Sequence, residues 1–105
     1  PYSAGYQGSS VEVREALAPV LERHGVQLVL SGHDHDYQRS VPIDGVTYVV
    51  TGAASGTRRT GEADFTAVAY SWHNLVDIAV TGDQLVLRAI GQDGSVFDEV
   101  RLTAT

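Results

Sequence analysis

Two histidines separated by one residue, His33 and His35, are the side chains of this sequence best suited to chemistry. In an extended segment, residues two apart lie on the same side of the backbone, so both imidazoles could bind one metal ion or two adjacent ions. Gly32 precedes them, and we expect it to let the chain turn sharply and approach other backbone closely. We expect both to be exposed in a loop and within about 7 Å of each other. The alternative is a pair of exposed loop histidines that bind no metal.

An apolar run directly before the histidines predicts the element that positions them. Residues 26–30 are Val-Gln-Leu-Val-Leu, which has the length and composition of a strand buried on both faces in an α/β sheet. The polar segment 31–36 follows at the carboxyl end of that strand. Ligand sites of open α/β sheets lie at this edge, so the position of the histidines favours a functional role.

A helix is predicted before this strand. Ser9 and Glu12 have capping-box spacing, and Gly25 is a good stop signal after Arg23 and His24. Pro19 removes a helix donor, so we expect a kink there or a short second helix that starts near it. One apolar face is formed by four residues at helical spacing: Val13, Leu17, Val20 and Leu21.

After the histidines the pattern becomes β. The turn Asp44-Gly45 leads into a strand over 46–51, and two tight turns then separate three apolar-rich strands, which predicts an antiparallel meander. The predicted meander strands are Leu75 to Val80, Leu85 to Ile90 and Val96 to Leu102, with turns at Gly82-Asp83 and Asp93-Gly94.

Composition narrows the class of protein. The chain has 105 residues, which fits one domain over 1–105, and its net charge of -6 argues against nucleic-acid or anionic-membrane partners. It has no cysteine, so a metal must be held by histidine, carboxylate, amide or water. Such donors suit zinc, iron or manganese.

The segment 28–39, Leu-Val-Leu-Ser-Gly-His-Asp-His-Asp-Tyr-Gln-Arg, resembles the last motif of calcineurin-like metallophosphoesterases. It is most similar to the purple-acid-phosphatase type, in which Gly-His-x-His is followed by Tyr, an acidic or amide residue, and Arg. The segments 24–26, 48–53 and 93–98 also resemble the family. The resemblance implies an α/β fold: the C-terminal half of a two-sheet metallophosphoesterase sandwich, with a helix and buried strands followed by the meander.

The resemblance further implies that the parent enzyme hydrolyses phosphate esters with two metal ions (Zn, Fe or Mn), and that His33 binds one ion and His35 the other. Tyr37 and Arg39 would contact the phosphate or, as we expect, brace the loop and orient a histidine. Two carboxylates that flank the histidines occupy variable positions of the motif, and we expect them to be solvated: Asp34 and Asp36.

Other ligands of the family are absent from this sequence: an Asp-x-His pair, a bridging aspartate, an asparagine and a further histidine. Residues 1–3 resemble those that follow that last histidine. We therefore expect the chain alone to be inactive and to pair with the missing N-terminal half or with itself. The alternatives are a non-catalytic metal-binding or structural module and a cupin-type barrel, which the predicted helix disfavours. Localisation stays open, and the resemblance slightly favours an exported protein.

Overall fold

The computed structural model describes residues 2, 9–32, 34–52, 61 and 63–104. Its helix α1 spans Val11–Arg23 and begins at Ser10, whose hydroxyl accepts a hydrogen bond from Val13 N at 3.3 Å. The predicted cap, Ser9, is therefore one residue early. The Ser9 hydroxyl instead accepts a hydrogen bond from Arg14 Nη2 at 2.9 Å.

Helix α1 is continuous through Pro19, so no second helix starts there. The expected kink at Pro19 stays a prediction. Proline leaves the carbonyl of Glu15 without its usual helix donor, and both residues are exposed, so water can hydrate that carbonyl. The predicted end of the helix is confirmed: His24 is the C-cap and Gly25 has a φ of 69°. No helix in the described part of the chain is long and apolar enough to cross a membrane.

The first sheet has four strands in the order β1-β3-β2-β4. Strand β1 is parallel to β3, whereas β2 is antiparallel to both of its neighbours. The predicted turn before β3 is confirmed, since Asp44 and Gly45 have φ values of 50° and 81°. The four strands are β1 (Leu28–Ser31), β2 (Tyr37–Ser40), β3 (Thr47–Thr51) and β4 (Thr66–Tyr70).

The second sheet is the predicted antiparallel meander, with the order β5-β6-β7. Both predicted turns are confirmed, and Gly82 and Gly94 adopt φ values of 60° and 84° that other residues rarely reach. Its strands are β5 (Asn74–Thr81), β6 (Gln84–Gly91) and β7 (Val96–Thr103).

The core lies between the two sheets. Tyr37 and Val49 from the first sheet meet Leu87 and Ala89 from the second, and all four are fully buried. Side chains alternate along a strand, so Tyr48 lies on the opposite face of β3 from Val49. There it packs against Tyr2, whose ring lies under the Arg14 guanidinium of α1 at 4.0 Å. Arg14 of α1 therefore reaches the outer face of the first sheet through Tyr2.

Burial differs between the two parallel strands. Every residue of β3 from Thr47 to Val50 is buried, as predicted for a strand covered on both faces. Strand β1 does not meet that prediction, because it lies at the edge of the sheet and Leu30 is 46% exposed. The predicted apolar face of α1 is also largely exposed, and Leu17 keeps 47% of its accessible surface.

Candidate metal-binding edge

Strand directions bring several loops to one end of the sandwich. Strands β1, β3, β4 and β6 end there, and β2, β5 and β7 begin there. The Thr51 hydroxyl donates to Asn74 Oδ1 at 2.7 Å and links the two sheets at this end. We call this end the histidine edge; its described residues are 31–32, 34–37, 51–52, 70–74 and 91–96.

His35 lies in the bend between β1 and β2, directly after the carboxyl end of β1, as the sequence predicted. It is half-buried rather than exposed. His33 lies outside the described residues. Gly32 does not have a left-handed backbone, and a Cβ there would come no closer than 4.0 Å to Thr51 O.

The carboxylates that flank the histidines are buried, and the expectation of solvated side chains is wrong. Asp34 and Asp36 are 3% and 0% exposed. Gln38 Nε2 donates to Asp36 Oδ2 at 2.9 Å, and Gly52 N donates to the Asp36 carbonyl at 3.1 Å. The Gly52 bond continues the antiparallel pairing of β2 with β3 into this bend.

Tyr37 and Arg39 point from β2 toward the second sheet, where both bind Asp98 of β7. The Tyr37 hydroxyl donates to Asp98 Oδ2 at 2.6 Å. Arg39 donates through Nε to Oδ2 at 2.8 Å and through Nη2 to Oδ1 at 3.1 Å, a bidentate pair. We call these three residues the Asp98 cluster. It joins the strand that follows His35 to the opposite sheet.

Electrostatics in the Asp98 cluster favour an ionised aspartate and a neutral tyrosine. Burial works against the charge of Asp98, but hydrogen bonds from Arg39 and then Tyr37 outweigh it and hold the Asp98 pKa below its usual range. Burial, then the hydrogen bond to Asp98, raises the pKa of Tyr37 well above that of a free phenol. The bond to Asp98 raises the pKa of Arg39 as well.

The sequence reasoning missed Asp98. Asp98 falls in the segment 93–98, which resembles closing strands of the family. The residue pattern of β7, however, does not indicate that Asp98 pairs with Arg39, which is 59 residues away in the chain. Only the stacking of two sheets brings it to Arg39. The bracing and phosphate-contact roles of Arg39 and Tyr37 both remain predictions, although two Arg39 nitrogens are already occupied.

The donors present fit part of a metal site. Imidazole and carboxylate are suitable ligands for zinc, iron or manganese, and His35 has both kinds of group beside it in the chain. Among the described residues, however, no group of three or more histidine, aspartate or glutamate side chains could hold an ion. A catalytic zinc site usually has three protein ligands, so further donors are required.

The fold and its open edge define part of a calcineurin-like metallophosphoesterase sandwich. The solved structure of GAP50, described as the anchor in the inner membrane complex of Plasmodium, matches with a TM-score of 0.90 and 20% identity. The match covers 99% of this chain and 34% of that one. The predicted fold class is thereby confirmed.

Sequence comparison points to a narrower group, the purple acid phosphatases. Purple acid phosphatase 3 of Arabidopsis thaliana is 28% identical over 64 residues, 60% of this chain and 18% of that protein. Purple acid phosphatase 17 of the same plant is 37% identical over 54 residues, 50% of this chain and 16% of that protein. No family model matches the chain. The chain is thus similar, over half of its length or more, to purple acid phosphatases, and its matches span less than a fifth of each curated relative.

Proposed function

We propose that this chain supplies two histidine ligands, His33 and His35, to the dinuclear site of a phosphoesterase that hydrolyses phosphate esters. The observation that carries the proposal is the position of His35. It follows the carboxyl end of β1, beside buried carboxylates, in a chain related to purple acid phosphatases. That position is where α/β sheets hold their ligands.

Two metal ions (Zn, Fe or Mn), when bound, would polarise the phosphoryl group and lower the pKa of a bound water. The residues of this chain would hold and orient them. Asp34 and Asp36 flank His35 in the chain and supply buried carboxyl oxygens, which are suitable donors for such ions. The Asp98 cluster fixes β2, and with it one end of the bend that contains His35.

The remaining ligands must come from another segment of polypeptide. Strand β1 has no neighbour on its outer side within the described sheet. Leu30 lies on the inner face of β1 with Leu28, which packs against the core, yet Leu30 is 46% exposed. Val80 lies on the inner face of β5 with Val76, which also packs against the core, yet Val80 is 69% exposed. We propose that the segment carrying the absent ligands covers the outer side of β1 together with Leu30 and Val80. We further propose that the chain self-associates through this surface when the segment is missing.

Zinc titration of the 105-residue chain tests the proposed ligands. We expect weak binding that His35→Ala removes and that His24→Ala leaves unchanged, because His24 lies at the C-cap of α1, at the end of the sandwich where β1 begins. We also expect no turnover of a chromogenic phosphate ester. Binding that survives both His33→Ala and His35→Ala would refute the proposed ligands, and turnover that His35→Ala abolishes would show that the chain holds a complete site.

The proposed covering segment is tested by light scattering. A clean 11.2 kDa monomer with a cooperative melt would contradict it. That result would favour the second candidate, a non-catalytic module that binds a single structural metal. The observation that favours this candidate is that the described residues contain no cluster of three metal ligands.

A further inference from the structure

A second feature of the histidine edge is a cavity between the loop that joins β4 to β5 and the turn that joins β6 to β7. Its volume is about 420 Å³, within the range of small-molecule sites. Four residues that line it carry the argument: Trp72, Gln92, Asp93 and Ser95. None of them belongs to the proposed ligand set.

Trp72 presents a fixed aromatic surface to the cavity. Its ring stacks on Tyr70 with centroids 4.3 Å apart and an interplanar angle of 19°. The Phe97 ring meets both of them edge-on, at 5.3 Å from each. Trp72 nevertheless remains 50% exposed. A large aromatic side chain that is held in place and left half open is suited to stack on a further flat ring.

The polar rim determines which part of a ligand would enter. Asp93 Oδ1 accepts hydrogen bonds from Ser95 N at 2.9 Å and from Ser95 Oγ at 2.6 Å. These bonds lower the pKa of Asp93, so its carboxylate is ionised at neutral pH. A negative charge at the rim repels phosphate. The amide side chain of Gln92 can both donate to and accept from the edge of a heteroaromatic ring.

The cavity lies beside the segment that contains His35. The backbone of Tyr70 pairs with Tyr37 at the start of β2, and the Asn74 side chain bonds Thr51 at the end of β3. Gly52, the next residue, bonds the carbonyl of Asp36. These contacts connect both ends of the loop 71–73 to the strands next to the bend that contains His35.

We infer that this cavity binds the flat aromatic ring of the substrate's ester group, a nucleobase or an aryl ring, by stacking on Trp72. The inference rests on the proposed function for the phosphate end of the substrate, which lies toward His35. The ring-binding site itself needs no metal ion. It would give the enzyme a preference for nucleotides or aryl phosphates over aliphatic phosphate esters.

Trp72 is the single tryptophan of the chain, so its fluorescence reports on this cavity alone. The 105-residue chain is titrated with adenosine, adenosine 5′-monophosphate, phenyl phosphate and ribose 5-phosphate, with excitation at the red edge of tryptophan absorption. We expect saturable quenching by a ring-bearing ligand and none by ribose 5-phosphate. A response to adenosine alone or to phenyl phosphate alone identifies the kind of ring. No saturable response to any ring, or an equal response to ribose 5-phosphate, would overturn the inference.

Variants locate the binding by calorimetry. Trp72→Leu should weaken ring binding by about tenfold or more, because stacking of a base on an aromatic side chain contributes on that scale. Trp72→Phe, which keeps an aromatic ring, should retain most of it, and Gln92→Ala should weaken binding severalfold. Gln84→Ala is the matched control, since Gln84 lies at the start of β6, at the other end of the sandwich. Equal affinity of Trp72→Leu and the unsubstituted chain would refute the site.

The metal ligands are tested separately in the same samples. Adenosine quenching should persist in His35→Ala. If zinc does not bind but the ring does, only the proposed ligand role of the histidines fails. If zinc binds but no ring does, only the ring site fails.

Discussion

Replacing Asp98 with asparagine should destabilise the chain more than any other single change to a charged strand residue of the second sheet. The carboxylate accepts three hydrogen bonds, from Tyr37 and from two nitrogens of Arg39, and its side chain is 7% exposed. Removing one partner of a buried ion pair costs about 3–5 kcal/mol, because the other charge stays buried.

The expected cost here is somewhat smaller. Arg39 keeps 23% of its side-chain surface, so water recovers part of the lost interaction, and asparagine retains one acceptor oxygen in the same place. We therefore expect Asp98→Asn to lower the free energy of unfolding by about 2–3 kcal/mol at pH 7. Urea denaturation followed by circular dichroism measures it.

Glu99→Gln is the matched control. Glu99 neighbours Asp98 and pairs with Arg88 at 3.3 Å and Arg101 at 3.1 Å, but its side chain is 38% exposed. Exposed pairs contribute about 0–1 kcal/mol, so this variant should change little. If Asp98→Asn and Glu99→Gln lowered the free energy of unfolding equally, burial would not be the reason for the larger contribution expected of Asp98.

The pH dependence of the same difference provides a second check. The pKa of Asp98 is lower in the folded chain than in the unfolded chain, where it is about 3.9. Ionised Asp98 therefore stabilises the fold fully above the unfolded pKa, and this contribution is lost as the pH falls through the folded pKa. The gap between the unsubstituted chain and Asp98→Asn should shrink below about pH 4. A constant gap down to about pH 2 would contradict the assigned charge state.

Two further outcomes are expected. Leu87→Ala should lower the free energy of unfolding by about 2–5 kcal/mol in urea denaturation, because Leu87 is fully buried. Leu75 is 56% exposed, so Leu75→Ala should change that free energy by about 0.5 kcal/mol or less. Similar losses for the two variants would show that the core is misplaced. The folded pKa of Tyr37 is raised, so its contribution is complete below about pH 10 and is lost as the pH rises toward the folded value. Tyr37→Phe should therefore reduce the loss of stability above about pH 10 in alkaline denaturation, and an unchanged loss would argue against the buried phenol.

Elements defined by local signals were predictable. The meander follows from Asp93-Gly94 and Gly82-Asp83, because glycine and its neighbours set the turns and apolar runs set the strands between them. The same holds for the stop at Gly25 and for the strand before the histidines. Strand β2 was not predicted, since its residues Tyr-Gln-Arg-Ser are polar and have no apolar alternation.

The sequence alone determined which residues could carry chemistry and where they fall in chain order: a histidine pair after an apolar strand, in a segment that resembles one family of phosphoesterases. Tertiary structure decided what surrounds them. Stacking of the two sheets brought Asp98 to Arg39 and joined Trp72 and Asp93 around one cavity. Pairing of β2 with β3 brought Gly52 to the carbonyl of Asp36. Contacts between residues far apart in sequence leave no local periodicity, because each strand's pattern records only which face is buried and not which side chain covers it.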